Sequence, residues 1–112
     1  MTHDRAIEEL TVEDFRVKRG TRFRLAGHGA PDAFEIELAE ITEFPAAPAS
    51  TFRTPFSVLF HGPLEPVLPQ GIYDLEHEQF RVSGLFIVPI GPADPAERGQ
   101  AATAMRYEAV FG

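Results

Sequence analysis

Two histidines, His61 and His77, lie near the ends of consecutive apolar segments, and Asp74 and Glu76 accompany the second histidine. Imidazole and carboxylate groups are zinc ligands, and a zinc site needs three or four ligands. Glu76 would point away from His77 because neighbouring side chains of a strand face opposite sides of the sheet. Two imidazoles without a third ligand do not make a zinc site. We therefore interpret His61 and His77 as half-exposed histidines near turns, and we assign no metal-binding or cofactor-binding residue.

A nucleophilic site is the second kind of chemistry to consider, since Ser57 and His61 share a strand face. Their separation along an extended strand is ~13 Å, which is beyond hydrogen-bond reach. The sequence has no G-x-S-x-G motif, and it has no cysteine to serve as a nucleophile, a thiolate ligand or half of a disulfide. We predict that the protein is not an enzyme and assign no catalytic residue. A metal-dependent or hydrolytic enzyme using His61 or His77 is kept as an alternative.

The segments around these residues alternate between apolar and polar side chains. In the first two segments the alternating apolar residues are Phe23, Leu25, Phe34, Ile36 and Leu38. A period of two predicts half-buried strands, here joined as a hairpin. The outward arginines of the first strand then lie opposite the outward glutamates of the second. The basic run over 16–24 is therefore predicted to be neutralised rather than open to nucleic acid.

Four further strands are predicted by the same pattern, at 56–61, 72–77, 82–90 and 104–111. Six short strands linked by Gly and Pro turns predict an all-β fold, an antiparallel meander closed into a small barrel or folded into a sandwich. The barrel ranks first because closure removes exposed strand edges. We expect one domain over 1–112, with an N-terminal segment over 1–20 and the barrel or sandwich over 21–112.

Three local signals refine this plan. Thr11 followed by Asp14 is typical of a helix start and predicts a short helical turn over 11–16. A β-bulge near Ala39 and Glu40 would restore the inward direction of the apolar side chains that follow. Pro89 cannot donate a hydrogen bond to a neighbouring strand, so the strand should end there or lose its partner on that side.

Charge and hydropathy limit the classes of partner. The formal net charge of −7 repels phosphate backbones, so nucleic acid is not expected as a partner. No apolar stretch approaches the roughly 20 residues that cross a bilayer. The acidic, interrupted run MTHDRAIEELTVEDF lacks the basic start and apolar middle of a signal peptide. We therefore expect no membrane partner and a cytoplasmic location.

Apolar residues also fall on the strand face that points away from the expected core. These interface candidates are Leu59, Ile72, Leu85, Ile87 and Val110. They need cover, which either the N-terminal residues Ile7, Leu10 and Phe15 or another protein chain would supply. The leading hypothesis is a structural or interaction module that associates with itself or with a protein partner.

The alternative function is the binding of a small apolar ligand inside the barrel. The interior would be lined by Phe56, Phe60, Tyr73, Phe86 and Tyr107. Six strands enclose little space, so a filled core is favoured over a cavity for an apolar molecule.

Four segments, LTVEDFRVKRGTRFRL, PFSVLFHGPLEPVLPQGIYDLEH, LFIVPIG and MRYEAVFG, carry a family resemblance. In this order they resemble an uncharacterised family of short bacterial proteins known only as a domain of unknown function. The resemblance brings no activity, cofactor or catalytic residue. It implies at most an accessory role in a surface assembly or a tail-like assembly.

Overall fold

Strands make up most of the chain that the computed structural model describes, which comprises residues 3–5, 7–27, 29–44, 55–78, 80–93 and 104–111. The helical elements are a 3₁₀ turn at Ile7–Glu9 and one short helix, α1, at Val12–Arg16. The strands are β1 (His3–Arg5), β2 (Arg22–Ala26), β3 (Phe34–Glu43), β4 (Phe56–Gly62), β5 (Gly71–Glu76), β6 (Phe80–Pro92) and β7 (Met105–Phe111). No helix in these ranges is long and apolar enough to cross a membrane.

Six of the strands close into an antiparallel barrel, which confirms the fold predicted from the alternation. The order around the barrel is β2, β3, β4, β7, β6, β5 and back to β2. Closure depends on the length of β6, whose first part pairs with β5 and whose last part pairs with β7. β1 is an additional strand that sequence patterning missed, and it pairs in parallel with the start of β6.

The barrel consists of two three-stranded meanders, β2–β3–β4 and β5–β6–β7. The consecutive strands β4 and β5 are not neighbours and lie across the barrel from each other. Residues 63–70 therefore cross one end of the barrel. Leu68 in this crossing segment is buried, and its N–H donates a hydrogen bond to the Tyr107 hydroxyl at 3.0 Å. The Tyr73 hydroxyl donates to the Pro69 carbonyl at 2.6 Å, which ties the segment to the next strand.

The opposite end of the barrel is closed by the N-terminal segment. The ring of Phe15, on α1, lies 5.2 Å from Phe111, 5.9 Å from Phe56 and 6.4 Å from Phe23, measured between ring centroids. Leu10 is fully buried in the same core. The predicted helix start is confirmed, since the Thr11 N–H donates to the Asp14 carboxylate at 2.8 Å.

β-bulges in β3 and β6 set the direction of the side chains. The bulge predicted near Ala39 and Glu40 is confirmed by a shift in the pairing of β3 with β4 between Leu38 and Glu40. A second bulge, in β6, was not predicted. Tyr73 pairs with Leu85 and Leu75 pairs with Val82, so Ser83 and Gly84 together face the single residue Asp74. Gly84 adopts a φ of 76°, a conformation that glycine allows at low cost.

This second bulge overturns part of the interface prediction. Leu85 and Ile87 were expected to face away from the core, but they are 2% and 1% exposed and belong to it. The reason is that one extra residue reverses the alternation after Val82 and turns Phe86 outward instead. Phe86 is 48% exposed.

Pro89 does not end its strand. β6 continues to Pro92, and its pairing with β7 shifts between Pro89 and Gly91. A bulge is one of the few places where a strand accommodates proline, since the missing N–H then costs no regular ladder bond.

Candidate functional site

The two histidines are separated by the barrel. His61, on β4, pairs in register with Glu37 on β3 and Arg106 on β7. His77 follows β5, which lies across the barrel and borders β2 and β6. In the residues described, no group of three or more histidine and acidic side chains lies close enough together to hold a metal ion.

His77 has a defined environment at the start of β2. Its Nε2 lies 3.1 Å from the Thr21 Oγ1, and the Thr21 hydroxyl donates to the Lys18 carbonyl at 2.5 Å. Because that hydroxyl has one proton and uses it on Lys18, the His77 Nε2 must donate to Thr21. The imidazole also packs against Phe23, with 4.7 Å between ring centroids. Burial lowers the pKa of His77 and the nearby Lys18 charge lowers it further, whereas Glu78 acts in the opposite direction.

Next to His77 lies an open groove of about 660 Å³, which sequence reasoning did not identify as a site. It is bounded by β2, the end of β5 and the segment after α1. Its lining residues are Val17, Lys18, Thr21, Arg22, Phe23, Arg24, Glu35, Glu76, His77 and Glu78. The groove could not be inferred from local patterns because its residues come from three separate parts of the chain, 17–24, 35 and 76–78.

Part of the basic run over 16–24 is neutralised by carboxylates, as the sequence predicted. Arg16 contacts Glu13 and also Glu43, the latter at 2.7 Å. Arg22 lies 3.6 Å from Glu35 on the neighbouring strand, and both side chains are largely exposed. Exposed ion pairs of this kind each contribute little to the free energy of unfolding. Their main effect is to cancel charge on the surface.

The interface candidates divide into three groups. Ile72 and Val110 are exposed as predicted, at 53% and 60%, and Leu59 is half-buried. Leu85 and Ile87 lie in the core. The residue that joins Ile72 on the surface is Phe86, its direct cross-strand partner. The sequence signal for this arrangement was Gly84, since a glycine within a strand pattern often marks a bulge.

We call Ile72, Phe86 and Val88 the outer β5–β6 face. Val88 follows Phe86 on the same side of β6 and is half-buried. The Asp74 carboxylate holds the bulge in β6 that turns Phe86 outward. Its Oδ1 accepts the Gly84 N–H at 3.3 Å, and its Oδ2 accepts the Arg81 guanidinium at 3.0 Å. The exposure of Phe86 therefore depends on hydrogen bonds that hold the bulge within the sheet.

Four of the five residues predicted to line a ligand cavity do point into the barrel. Phe56, Phe60, Tyr73 and Tyr107 are each at most 1% exposed and pack in the hydrophobic core. Phe86 points outward instead because of the bulge in β6. The barrel interior around these rings is thus occupied by packed side chains.

Comparison with protein families gives a match. The family model described as "Domain of unknown function (DUF6916)" matches residues 10–111. Comparisons with curated proteins and with solved structures give no match.

Proposed function

Because the chain belongs to the domain family of unknown function DUF6916, which confirms the family resemblance, we propose its function from its own geometry. The protein is a structural or protein-interaction module that binds another protein chain through the outer β5–β6 face. The observation that carries this proposal is the pair of Ile72 and Phe86, which are cross-strand partners and about half exposed.

The position of Phe86 supports an interaction role. Regular alternation from Val82 would bury Phe86, and only the bulge turns it to the surface. Aromatic side chains are enriched in the buried centres of protein interfaces, and clustered exposed apolar residues mark such surfaces. Ile72 adds a β-branched side chain directly opposite, so the two form one continuous apolar patch.

The closed ends of the barrel also favour recognition on the outside. Leu68 covers one end and Phe15 the other, and aromatic side chains fill the space between them. A barrel filled in this way is a rigid support for an exposed face. Near that face Arg81 lies 3.0 Å from Asp74 and 3.8 Å from Glu76, so both signs of charge are present. A patch with both signs can face a rotated copy of itself, as two-fold dimers require.

Light scattering after size exclusion tests the proposal, with the protein at about 0.5 mM so that a Kd near 0.1 mM is detected. We expect the wild type to associate and Phe86→Ser to be monomeric. The matched control is Val110→Ser, which removes another exposed apolar side chain, on β7. It should associate like the wild type. Circular dichroism and thermal unfolding would show that both variants keep the fold.

A second measurement tests whether the protein binds a partner of different sequence. Immobilised wild type, Phe86→Ser and Val110→Ser are exposed to lysate, and the retained proteins are identified by mass spectrometry. The proposal requires that Phe86→Ser loses either self-association or a protein that the other two retain. If Phe86→Ser matches the wild type in both measurements, the outer β5–β6 face is not an interaction surface.

A further inference from the structure

The two meanders of the barrel, β2–β3–β4 and β5–β6–β7, pair their strands in the same way. Phe23 pairs with Ile36, Arg24 with Glu35 and Leu25 with Phe34, and the corresponding pairs are Gly71 with Ile87, Ile72 with Phe86 and Tyr73 with Leu85. Across the bulge of β3, Glu37 pairs with His61, Leu38 with Phe60 and Glu40 with Leu59, and the corresponding pairs across a bulge of β6 are Val88 with Glu108, Pro89 with Tyr107 and Gly91 with Arg106. Since β2 runs antiparallel to β5 and β4 to β7, an approximate two-fold rotation relates the two meanders.

The outer β5–β6 face has a counterpart on β2 and β3 whose side chains are charged. Ile72, Phe86 and Val88 correspond, in that order, to Arg24, Glu35 and Glu37. We call these three charged residues the outer β2–β3 face, and all three are exposed. The pairing of strands in this barrel therefore does not require apolar side chains at these outward positions. The apolar side chains of the outer β5–β6 face are available for association.

The charges beside the outer β5–β6 face suit a second copy of the same chain. Asp74 and Glu76 follow Ile72 on the outward side of β5, and Arg81 lies 3.0 Å from the first carboxylate and 3.8 Å from the second. A face bordered by a guanidinium and by carboxylates is complementary in charge to its own copy after a two-fold rotation. A uniformly acidic or uniformly basic partner would oppose one of the two signs.

We propose that the outer β5–β6 face binds the same face of a second copy, and that the outer β2–β3 face keeps the assembly at two chains. This inference rests on the proposed function and adds the partner and the number of chains. Burial of the charged side chains of the outer β2–β3 face would cost desolvation free energy, so that face stays in water. With two apolar faces each chain would bind two others, and the assembly would remain open.

Transplanting the apolar side chains tests the role of the charged face. The transplanted variant carries Arg24→Ile, Glu35→Phe and Glu37→Val, which are the residues at the corresponding positions of β5 and β6. Light scattering after size exclusion at about 0.5 mM should give a mass of two chains for the wild type. The transplanted variant should exceed two chains, and its mass should rise with concentration.

Two further variants are matched to the transplanted one. Replacing Arg24, Glu35 and Glu37 with glutamine removes the same charges without adding apolar surface, so this variant should stay at two chains. Adding Phe86→Ser to the transplanted variant leaves one apolar face and should return the mass to two chains. Circular dichroism of that variant would also show that the transplanted side chains are compatible with the fold.

Cross-linking tests the second copy without the transplant, because the sequence has no cysteine. Ile72→Cys places a small apolar thiol on the outer β5–β6 face, and Arg24→Cys places one at the corresponding position of the outer β2–β3 face. A two-fold interface brings the same patch of both copies together. Treatment with a short bis-maleimide should therefore give a covalent pair of chains with Ile72→Cys and none with Arg24→Cys.

Three results would overturn the inference: a transplanted variant that stays at two chains, a glutamine variant that exceeds two chains, or equal cross-linking of the two cysteine variants. A monomeric wild type would overturn it as well. If that monomer retained a lysate protein that Phe86→Ser loses, the proposed function would still hold. If Phe86→Ser matched the wild type in mass and in retained proteins, both proposals would fail.

Discussion

The Asp74 carboxylate accepts the backbone N–H of Gly84 at 3.3 Å, so a side chain of β5 holds the bulge of its neighbour β6. The same carboxylate accepts the Arg81 guanidinium from the start of β6. Both bonds anchor the bulge that turns Leu85 and Ile87 into the core and Phe86 to the surface.

Replacing Asp74 with alanine should destabilise the protein by about 1 kcal/mol, because two hydrogen bonds to a half-buried carboxylate are lost. Denaturation with urea measures this change. The amide signals of Ser83 to Ile87 should also move, since the bulge loses its anchor. Ser83→Ala, in the same bulge, is the control and should stay within about 0.5 kcal/mol of the wild type. Equal stability of the two variants would show that Asp74 does not hold the bulge.

Gly84→Ala tests the backbone of the bulge separately. An added Cβ has space, since its nearest neighbour is the Ile72 Cγ2 at 4.0 Å. The cost is therefore conformational, about 1 to 2 kcal/mol for a side chain at positive φ. If calorimetry found an unchanged Tm, the positive φ of Gly84 would not be required in solution.

Tyr107→Phe should destabilise the crossing segment. The Tyr107 hydroxyl accepts the buried Leu68 N–H, and its removal leaves that donor without its partner at a cost of about 1 to 3 kcal/mol. Tyr73→Phe is the matched variant. It removes a donor to the part-buried Pro69 carbonyl, which water can replace more easily, so the loss should be smaller. Hydrogen exchange of the Leu68 amide, faster in Tyr107→Phe alone, checks the assignment.

Phe15→Ala should cost about 3 to 5 kcal/mol, because the ring packs against three other rings at the end of the barrel. A loss of this size is a large part of the stability of a small domain. Val17→Ala, two positions later and 74% exposed, should change stability by less than about 0.5 kcal/mol. Urea unfolding of both variants compares them directly. A small effect of Phe15→Ala would mean that α1 does not seal the barrel.

His77 should make the folded state less stable in acid. Its pKa in the folded protein lies below the ordinary value of 6.5 that applies to the unfolded chain. As pH falls through 6.5 the unfolded state binds the proton first, so the free energy of unfolding decreases until the folded pKa is passed. Above 6.5 the imidazole is neutral in both states and contributes no slope.

Two variants check this assignment by urea unfolding across that pH window. His77→Gln should flatten the dependence. Glu78→Gln should steepen it, because Glu78 favours the charged imidazole. A wild-type stability that rises on acidification below 6.5 would contradict the predicted sign.

Local sequence signals predicted those parts of the fold that local chemistry determines. The alternation of Phe23 and Leu25 with arginines, the bulge after Leu38 and the helix start at Thr11 each depend on residues close in sequence, and each is confirmed. The reversal in β6 was missed because Ser83 and Gly84 permit a bulge, but it is Asp74 on another strand that holds it.

The candidate sites depend on long-range pairing, which one sequence does not reveal. The groove beside His77 joins 17–24, Glu35 and 76–78, which come together only through the pairing of β2 with β3 and with β5. The separation of His61 from His77 follows from the crossing of residues 63–70. Neither arrangement can be inferred from spacing along the chain.

The crossing at 63–70 divides the molecule into two halves of similar design. Each half is a sheet of three strands with two outer strands, and the halves join along two seams, β2 with β5 and β4 with β7. The domain thus resembles a dimer whose subunits are linked by a short tether. Cleavage within residues 63–70 would give two fragments, each with two unpaired strand edges. The edges of one fragment match those of the other, β2 with β5 and β4 with β7.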